Sequence, residues 1–334
     1  MRYRAEFEQL RPGLHKPDFN FNHTISSSAT VYHSMAPSKL DSRFNEALLD
    51  TYSDEEIMCY FDQSPNLNTT RIESIRVLSH HLVAKALPWP QNHHDEIEAM
   101  EKARSIGVNV PAIRRVVPYP EGGYLIVMEH IHGETLEQLW PRLGIWATIH
   151  IAWQLRSFVS ALRTVMTQKT GGLHSGEVHS EWVQGMYVPV PHASPSVFCD
   201  YLNWWLLKAR PSNCRPLPQL LLSPPREHVL VHQDLAPRNM ILDSDGHLWL
   251  VDWGHSGFYP AFMEKLGMER PEGAMPWLAA RTFTAWWGRL RWSLFCLITC
   301  GYSRLHFKGR AALAVVAQRS MRFKLEKPVH SVRY

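Results

Sequence analysis

The stretch from Val229 to Gly254 constrains the fold of this 334-residue chain more than any other part of the sequence. It contains three short apolar runs, at Val229–Val231, Met240–Leu242 and Leu248–Val251. Runs of this length bounded by polar residues are typical of β-strands, and the Asp-Gly pair at 245–246 is a hairpin signal. The stretch therefore predicts a small β-framework with polar side chains at its strand ends.

Four polar residues with a specific spacing lie in this framework: His232, Asp234, Asn239 and Asp252. Asn239 follows Asp234 by five positions, and Asp252 follows Asn239 by thirteen. Mg²⁺ prefers oxygen ligands, and a magnesium–nucleotide site takes one or two carboxylates besides the phosphates. We expect Asn239 and Asp252 to hold that ion and Asp234 to face a substrate hydroxyl. The alternative is a hairpin whose polar residues cap turns, but this requires four functional residue types to coincide at these offsets.

The same residues resemble the kinase catalytic loop H-x-D-x-x-x-x-N and the metal-binding D-x-G that follows it. The surrounding letters, LAPRN and then VDW, are similar to the aminoglycoside phosphotransferase and choline-kinase family, and most to its fungal members. The resemblance covers roughly residues 53–268 and implies an α+β, bilobal protein-kinase-like fold with a small β-rich N-lobe and a larger, mainly helical C-lobe. We expect an irregular extension at 1–52, the N-lobe at 53–131 and the C-lobe at 132–334.

The predicted N-lobe contains candidates for phosphate binding. The segment VAK, which ends at Lys85, resembles the family's strand lysine that holds the α- and β-phosphates. A lysine in an apolar strand needs an anionic partner, unless the strand lies at an edge and the lysine points to water. In the family, a helix glutamate pairs with this lysine. Within the predicted helix at 95–107, Glu96 and Glu98 are both candidates and Glu98 fits the motif better, although both could be solvated charges.

Residues 128–136, MEHIHGETL, resemble the family's hinge M-E-x-I-x-G-x-T-L. The resemblance implies that backbone groups around Glu129 and Ile131 bind the edge of adenine. An extended backbone supplies both the donor and the acceptor that adenine needs, so side chains constrain this site only weakly.

The resemblance implies an ATP- and Mg²⁺-dependent kinase that moves the γ-phosphate to a hydroxyl of a small molecule, with Asp234 as base. His232 belongs to the same catalytic loop, where we expect it to brace the loop by hydrogen bonds. One departure favours a catalytically weak kinase-fold protein that binds nucleotide or a partner. No glycine lies between Asp62 and Lys85, where the family has a glycine-rich phosphate loop. The intact Asp234, Asn239 and Asp252 set favours the enzyme.

Composition and charge indicate which partners and which cellular location to expect. Five scattered cysteines without a C-x-x-C pair favour reduced thiols, and the N-terminus lacks the apolar core of a signal peptide. The longest apolar run, about eleven residues, is too short to span a bilayer. From Gly301 onward there are eight Lys and Arg and one acid, but no nucleic-acid motif accompanies them. We expect a soluble, cytoplasmic protein with no membrane span, no nucleic-acid partner and a small hydroxyl acceptor.

The tryptophans at 182, 204 and 205 and Tyr187 either line the acceptor pocket or pack in the core.

Overall fold

A computed structural model describes residues 14–15, 43–67, 75–87, 93–118, 123–180, 182–183, 188–207, 216–268, 275–301, 308–309 and 311–316. The chain divides into two compact units. The smaller, here called the β-rich unit, comprises Lys16–Pro90 and Ile113–His130. The larger, here called the helical unit, comprises Met1–His15, Gln91–Ala112 and Ile131–Tyr334.

The described strands are β1 Leu14–His15, β2 Ile75–Val77, β3 Leu82–Leu87, β4 Ile113–Pro118, β5 Tyr124–Glu129, β6 Gly133–Thr135, β7 Met166–Thr167, β8 Val188–Pro189, β9 His228–Val231, β10 Met240–Asp243, β11 Leu248–Leu250 and β12 Gly257–Tyr259. The described α-helices are α1 Asp54–Gln63, α2 His93–Ser105, α3 Leu136–Leu139, α4 Ile145–Leu162, α5 Pro195–Leu207, α6 Met263–Gly267 and α7 Phe283–Cys300. Residues 311–316 are also helical. No helix among the described residues is long and apolar enough to cross a membrane.

The β-rich unit is an antiparallel sheet of four strands in the order β2-β3-β5-β4. Helix α1 begins at a capping box, in which the Ser53 hydroxyl and the Glu56 carboxylate each accept the other residue's backbone N–H. This arrangement satisfies two amides that a helix start leaves unpaired. The helix buries Ile57 and Phe61 in one apolar cluster with sheet residues such as Leu125. Burial of this face holds the short helix in place.

Two three-stranded sheets in the helical unit contain the stretch that the sequence singled out. Strands β10 and β11 form the predicted hairpin, with β6 on the other side of β10. Gly246 in its turn has φ +83°, a conformation that favours glycine. Strand β9 lies between β12 and β7.

One predicted helix is shorter than the sequence pattern indicates. The apolar pattern predicts a helix at 144–168, but α4 ends at Leu162 and Met166–Thr167 forms β7. Met166 pairs with Val229 of β9, so a long-range strand pairing takes over the last turns of the predicted helix. Tertiary pairing overrides local propensity here.

Helix packing supplies most of the remaining core. Helices α4 and α7 pack along each other. Trp140 is fully buried, with edge-to-face contacts to Trp292 and Phe295 of α7. Helix α5 contributes Phe198 and several neighbours to a second cluster that supports β9 and β12. The α+β class is confirmed, with a small β-rich unit and a larger, mainly helical one. The division at 1–52, 53–131 and 132–334 stays a prediction.

Candidate active site

The four polar residues from the central stretch lie at the ends of two strand pairs. His232 and Asp234 follow β9, and Asn239 ends a short 3-10 helix that leads directly into β10. The backbone N–H of Val251 donates to the carbonyl of Asn239 at 3.0 Å. This bond extends the hairpin ladder and brings the residue before Asp252 alongside Asn239.

One oxygen of the Asp234 carboxylate accepts two hydrogen bonds, one from a guanidinium and one from a side-chain amide. Its Oδ2 accepts from Arg238 Nη2 at 2.6 Å and from Asn239 Nδ2 at 2.7 Å. The Asn239 amide also donates to the Asp234 carbonyl at 3.0 Å. Asn239 is only 1% exposed, and its Oδ1 is buried without a hydrogen-bond partner. A buried carbonyl oxygen of this kind is rare unless a ligand or ion completes it.

His232 joins the catalytic loop to the segment before Asp252. Its Nδ1 accepts the backbone N–H of Asp234 at 3.3 Å, and its Nε2 lies 3.2 Å from the Val251 carbonyl. These contacts assign a neutral ring with the proton on Nε2. Burial lowers the pKa of His232, against the opposing effect of the negative charges of Asp234 and Asp252. The ring therefore bridges two loops as a fixed hydrogen-bonding group.

A buried carboxylate that the sequence did not indicate holds this loop. Glu264 in α6 accepts the backbone N–H of His232 at 2.9 Å and that of Gln233 at 3.1 Å. Burial raises the pKa of Glu264 to about 7, although the two amides and the charge of Arg163 act in the opposite direction. Nothing in its local sequence pattern sets Glu264 apart from a helix surface charge.

Two residues of the site have left-handed backbone conformations. Gln233 has φ +65° and Asp252 has φ +68°. Side chains with a Cβ adopt this region at a cost, and such strain clusters at functional sites. Glycine adopts this region without that cost. The Gln233 amide compensates by donating to the carbonyls of His179 and His255, at 3.1 and 2.6 Å.

Helix α2 places its two glutamates in different environments. Glu96 is 4% exposed, and its Oε2 lies 3.6 Å from where a Cβ on Gly254 would stand. Its carboxylate thus lies beside the segment that carries Asp252. The Glu98 side chain is 44% exposed and contacts His174 Nδ1 at 2.8 Å. Positions two apart on a helix point in nearly opposite directions, so only one of the pair faces inward.

Asp95 at the start of α2 is enclosed by the turn at 171–176. Its carboxylate accepts the backbone N–H groups of His174 and Ser175 at 2.6 and 2.9 Å, and the Ser175 hydroxyl. Burial alone would raise the pKa of Asp95, but the imidazole of His179 and these donors lower it. A Cβ on Gly172 would lie 2.3 Å from the carboxylate, so only glycine fits there.

The residues predicted to bind the nucleotide lie as follows. Lys85 is buried in β3 of the β-rich unit, paired with Ile75 and Ile126 in the sheet. Glu129 is the last residue of β5. Ile131 lies two positions further on, half-buried, at the start of a segment of the helical unit. Part of the glycine-free segment ahead of Lys85, residues 68–74, lies outside the described residues.

The aromatic residues considered for an acceptor pocket pack mainly in the core. Trp182 and Trp205 are buried in the α5 cluster, and Trp204 is partly buried against it. Tyr187 lies outside the described residues.

Comparison with known proteins places the chain in a family. The model of the phosphotransferase enzyme family matches residues 82–265, more than half of the chain. The chain belongs to this family, and the resemblance predicted from the catalytic loop is confirmed. No curated protein sequence matches the chain.

Several solved structures are similar in fold at low identity. Aminoglycoside phosphotransferase APH(4)-Ia is 13% identical, with a TM-score of 0.45 over 80% of this chain and 96% of its own. The streptomycin–ATP ternary complex of APH(2")-IIa is 15% identical, with a TM-score of 0.47 over 81% and 86%. The Cydia pomonella granulovirus kinase PK-1 is 12% identical, with a TM-score of 0.34 over 64% and 68%.

Proposed function

We propose that this phosphotransferase uses Mg²⁺ and ATP to move the γ-phosphate to a hydroxyl of a small molecule. The observation that carries the proposal is the pairing of Asp234 with Asn239. One end of the Asn239 amide binds the Asp234 carboxylate, while the other end is a buried oxygen without a donor. A loop that served only as a turn would have no reason to bury an unpaired carbonyl beside a carboxylate.

The residues present fit a magnesium ion. Asn239 Oδ1 and the Asp252 carboxylate would hold it, which matches the preference of Mg²⁺ for a few protein oxygens besides phosphates and waters. When bound, the ion neutralises charge on the transferred and leaving phosphates. The Asn239 side-chain amide donates to the Asp234 carbonyl, and the Val251 backbone N–H donates to the Asn239 carbonyl. These two hydrogen bonds hold Asn239 and the residue before Asp252 in position without a substrate.

Asp234 would accept the proton of the acceptor hydroxyl or orient that hydroxyl. The Arg238 guanidinium and the Asn239 amide both bind its Oδ2, which fixes the carboxylate plane. A fixed carboxylate loses little freedom when the acceptor binds, so orientation contributes to the rate. His232 and Glu264 would act on catalysis only through the position of this loop.

Within the nucleotide site, we assign Lys85 to the phosphates and the backbone at Glu129 and Ile131 to adenine. For the family's helix glutamate both Glu98 and Glu96 stay candidates, and we favour Glu96. Glu96 is buried beside the Asp252 segment, whereas Glu98 is largely committed to an exposed contact with His174. A buried carboxylate requires a cationic or hydrogen-bonding partner.

The acceptor class is a hydroxyl-bearing small molecule such as an amino-sugar or an amino-alcohol, without nucleic acid as a partner. A cytoplasmic location agrees with the free thiols of Cys59, Cys199, Cys296 and Cys300. The competing function is a catalytically weak protein that binds nucleotide, which the lack of glycine between Asp62 and Lys85 favours.

Turnover and nucleotide binding, measured on the same variants, test the proposal. Wild-type protein should form ADP with at least one acceptor from a panel of amino-sugars and amino-alcohols. Asp234→Asn should lower kcat by about 10²–10⁴-fold, because general-base help has this size. The same variant should keep the melting-point increase produced by ATP and Mg²⁺, worth about 2.7 kcal/mol at a hundred times Kd.

Two results would count against the enzyme. A nucleotide-dependent melting shift without transfer to any acceptor would favour the catalytically weak alternative. Unchanged turnover in Asp234→Asn would remove Asp234 from the chemistry. Asp245→Asn, an exposed carboxylate in the hairpin turn, is the matched control and should behave as wild type.

A further inference from the structure

Helices α4 and α7 of the helical unit expose large apolar side chains that no described residue covers. On α7 these are Phe283, Trp286, Trp287, Leu290 and Leu297, and on α4 they are Trp146 and Trp153. Phe283 is 75% exposed and Trp146 is 80% exposed. Single exposed apolar residues are ordinary, but a group of seven on two packed helices marks an interaction surface.

The exposed residues of α7 form one stripe. Their spacing of three, four and seven residues places them within about 100° of one another around the helix axis. At 1.5 Å per residue, the stripe from Phe283 to Leu297 is about 20 Å long. The opposite side of α7 carries Trp292 and Phe295, which are buried in the core. The helix thus has two apolar faces, and the core accounts for only one of them.

The two tryptophans of α4 continue this surface. Trp146 and Trp153 are seven residues apart and so lie on one side of the helix. The Arg156 guanidinium lies 5.5 Å from the centre of the Trp153 ring, and it donates to the Ile298 carbonyl of α7 at 2.8 Å. This contact ties the tryptophan side of α4 to the end of the α7 stripe.

The charged side chains of the two helices have one sign. Neither α4 nor α7 contains an Asp or Glu, and from Gly273 to Leu325 there are nine Lys and Arg and no acid. Arg281 is exposed just before α7, and Arg289 is half-exposed on it.

We propose that the α4–α7 surface binds the interface of an anionic phospholipid membrane, with both helices lying in the membrane plane. Tryptophan and phenylalanine prefer the boundary between headgroups and acyl chains, and flanking arginines attract anionic lipids. Two helices without acids, with arginines beside a tryptophan-rich stripe, match such a surface. The enzyme would then act on acceptors at or near a membrane surface.

Cosedimentation with lipid vesicles tests this inference on the full chain. Vesicles of phosphatidylcholine alone are compared with vesicles that contain phosphatidylserine, at low and high salt. We expect binding to the anionic vesicles, weaker at high salt, and much weaker binding to phosphatidylcholine. A variant that combines Phe283→Ser, Trp286→Ser and Leu290→Ser should have a vesicle partition coefficient lower by about tenfold or more. It lacks three of the apolar side chains that would insert into the membrane.

Matched controls separate membrane binding from general effects. Leu67→Ser and Met166→Ser remove exposed apolar side chains elsewhere and should leave binding unchanged. If the triple variant fails to fold, as judged by its melting temperature, Arg281→Glu replaces it. This single charge reversal disturbs no core contact and should weaken binding to the anionic vesicles severalfold.

Three results would overturn the inference. The first is no binding to either kind of vesicle, and the second is equal binding by wild type and variants. The third is a triple variant that has a lower molecular mass in solution than wild type but binds vesicles equally well. The last result would make the surface a contact between two copies of the chain. None of these results bears on phosphotransfer, which is measured separately with a water-soluble acceptor.

Discussion

Glu264 accepts the backbone N–H of His232 at 2.9 Å across 32 residues of chain. With its other oxygen it accepts the N–H of Gln233. Both donors belong to the turn that leads to Asp234, so a buried carboxylate in α6 holds the turn that carries the proposed base. Backbone groups this deeply buried are costly to leave unpaired, and the free energy of unfolding should depend on this contact.

Replacing the Glu264 carboxyl by an amide should destabilise the fold through the loss of a hydrogen-bond acceptor, most clearly near pH 5, where the wild-type carboxyl is neutral. Glu264→Gln retains the shape of the side chain, but its amide nitrogen cannot accept, so one of the two backbone N–H groups is left without a partner. We expect a loss of about 1–3 kcal/mol in the free energy of unfolding, measured by urea denaturation. Glu137→Gln, on the half-exposed side of α3, is the control. A loss of similar size in both variants would contradict the account.

The same residue predicts how stability changes around neutral pH. The pKa of Glu264 is raised to about 7 in the fold from an ordinary value of 4.5, so the folded state binds more protons between these values. Wild-type stability should therefore fall as pH rises from about 5 to about 8, relative to Glu264→Gln, by up to about 3 kcal/mol. Parallel stability curves for the two proteins would show that the carboxyl stays ionised.

His228 predicts the opposite slope on the acid side. Burial lowers its pKa to about 4, and it lies within 3.1 Å of the Thr170 hydroxyl. Between pH 6.5 and pH 4 the unfolded state binds more protons at His228 than the folded state does. The contribution of neutral His228 to the free energy of unfolding is therefore present above pH 6.5 and is lost toward pH 4. In wild type the free energy of unfolding should fall by up to about 3 kcal/mol over this range, and in His228→Gln it should fall less. The exposed His247→Gln variant should keep the wild-type slope.

The left-handed conformation of Gln233 predicts an unusual order of variants. Gln233→Gly and Gln233→Ala both remove the hydrogen bonds to His179 and His255, so they differ only in the Cβ. Because φ is +65°, glycine should be more stable than alanine by about 1 kcal/mol. At most positions glycine is the less stable residue. Thermal unfolding of the two variants decides the order, and a more stable alanine variant would exclude backbone strain at this turn.

The two glutamates of α2 predict different effects on activity. Glu96→Gln should lower kcat/KM for ATP by at least about tenfold, because a buried carboxylate beside the Asp252 segment loses its charge. Glu98→Gln should stay within about threefold of wild type, since exposed ion pairs contribute little. Steady-state kinetics at saturating acceptor compare the two. The reverse order would restore the motif-based choice of Glu98.

Much of this architecture is predictable from local sequence. The Asp-Gly hairpin between β10 and β11 and the capping box of α1 depend on residues a few positions apart, so their patterns are readable directly. The spacing of Asp234 and Asn239 likewise indicated the family.

Other features depend on distant contacts and have no local signal. The end of α4 is set by pairing of Met166 with Val229, and Glu264 binds the loop from 32 residues away. The choice between Glu96 and Glu98 depends on which side of α2 faces inward, and the acids in its first turn occupy several sides. The family resemblance ranked Glu98 first, and the kinetics of the two variants decide between the residues.

The most direct test of the magnesium–nucleotide site replaces Mg²⁺ by Mn²⁺ and follows the free-ion signal by electron paramagnetic resonance. In the presence of ATP, wild-type protein should bind Mn²⁺ more tightly than ATP alone does. Asn239→Ala and Asp252→Asn should each weaken this binding by about tenfold or more, since each removes one oxygen ligand. Asp50→Asn, an exposed carboxylate outside the site, should bind as wild type does. Equal binding by wild type and both ligand variants would contradict the site proposed at Asn239 and Asp252.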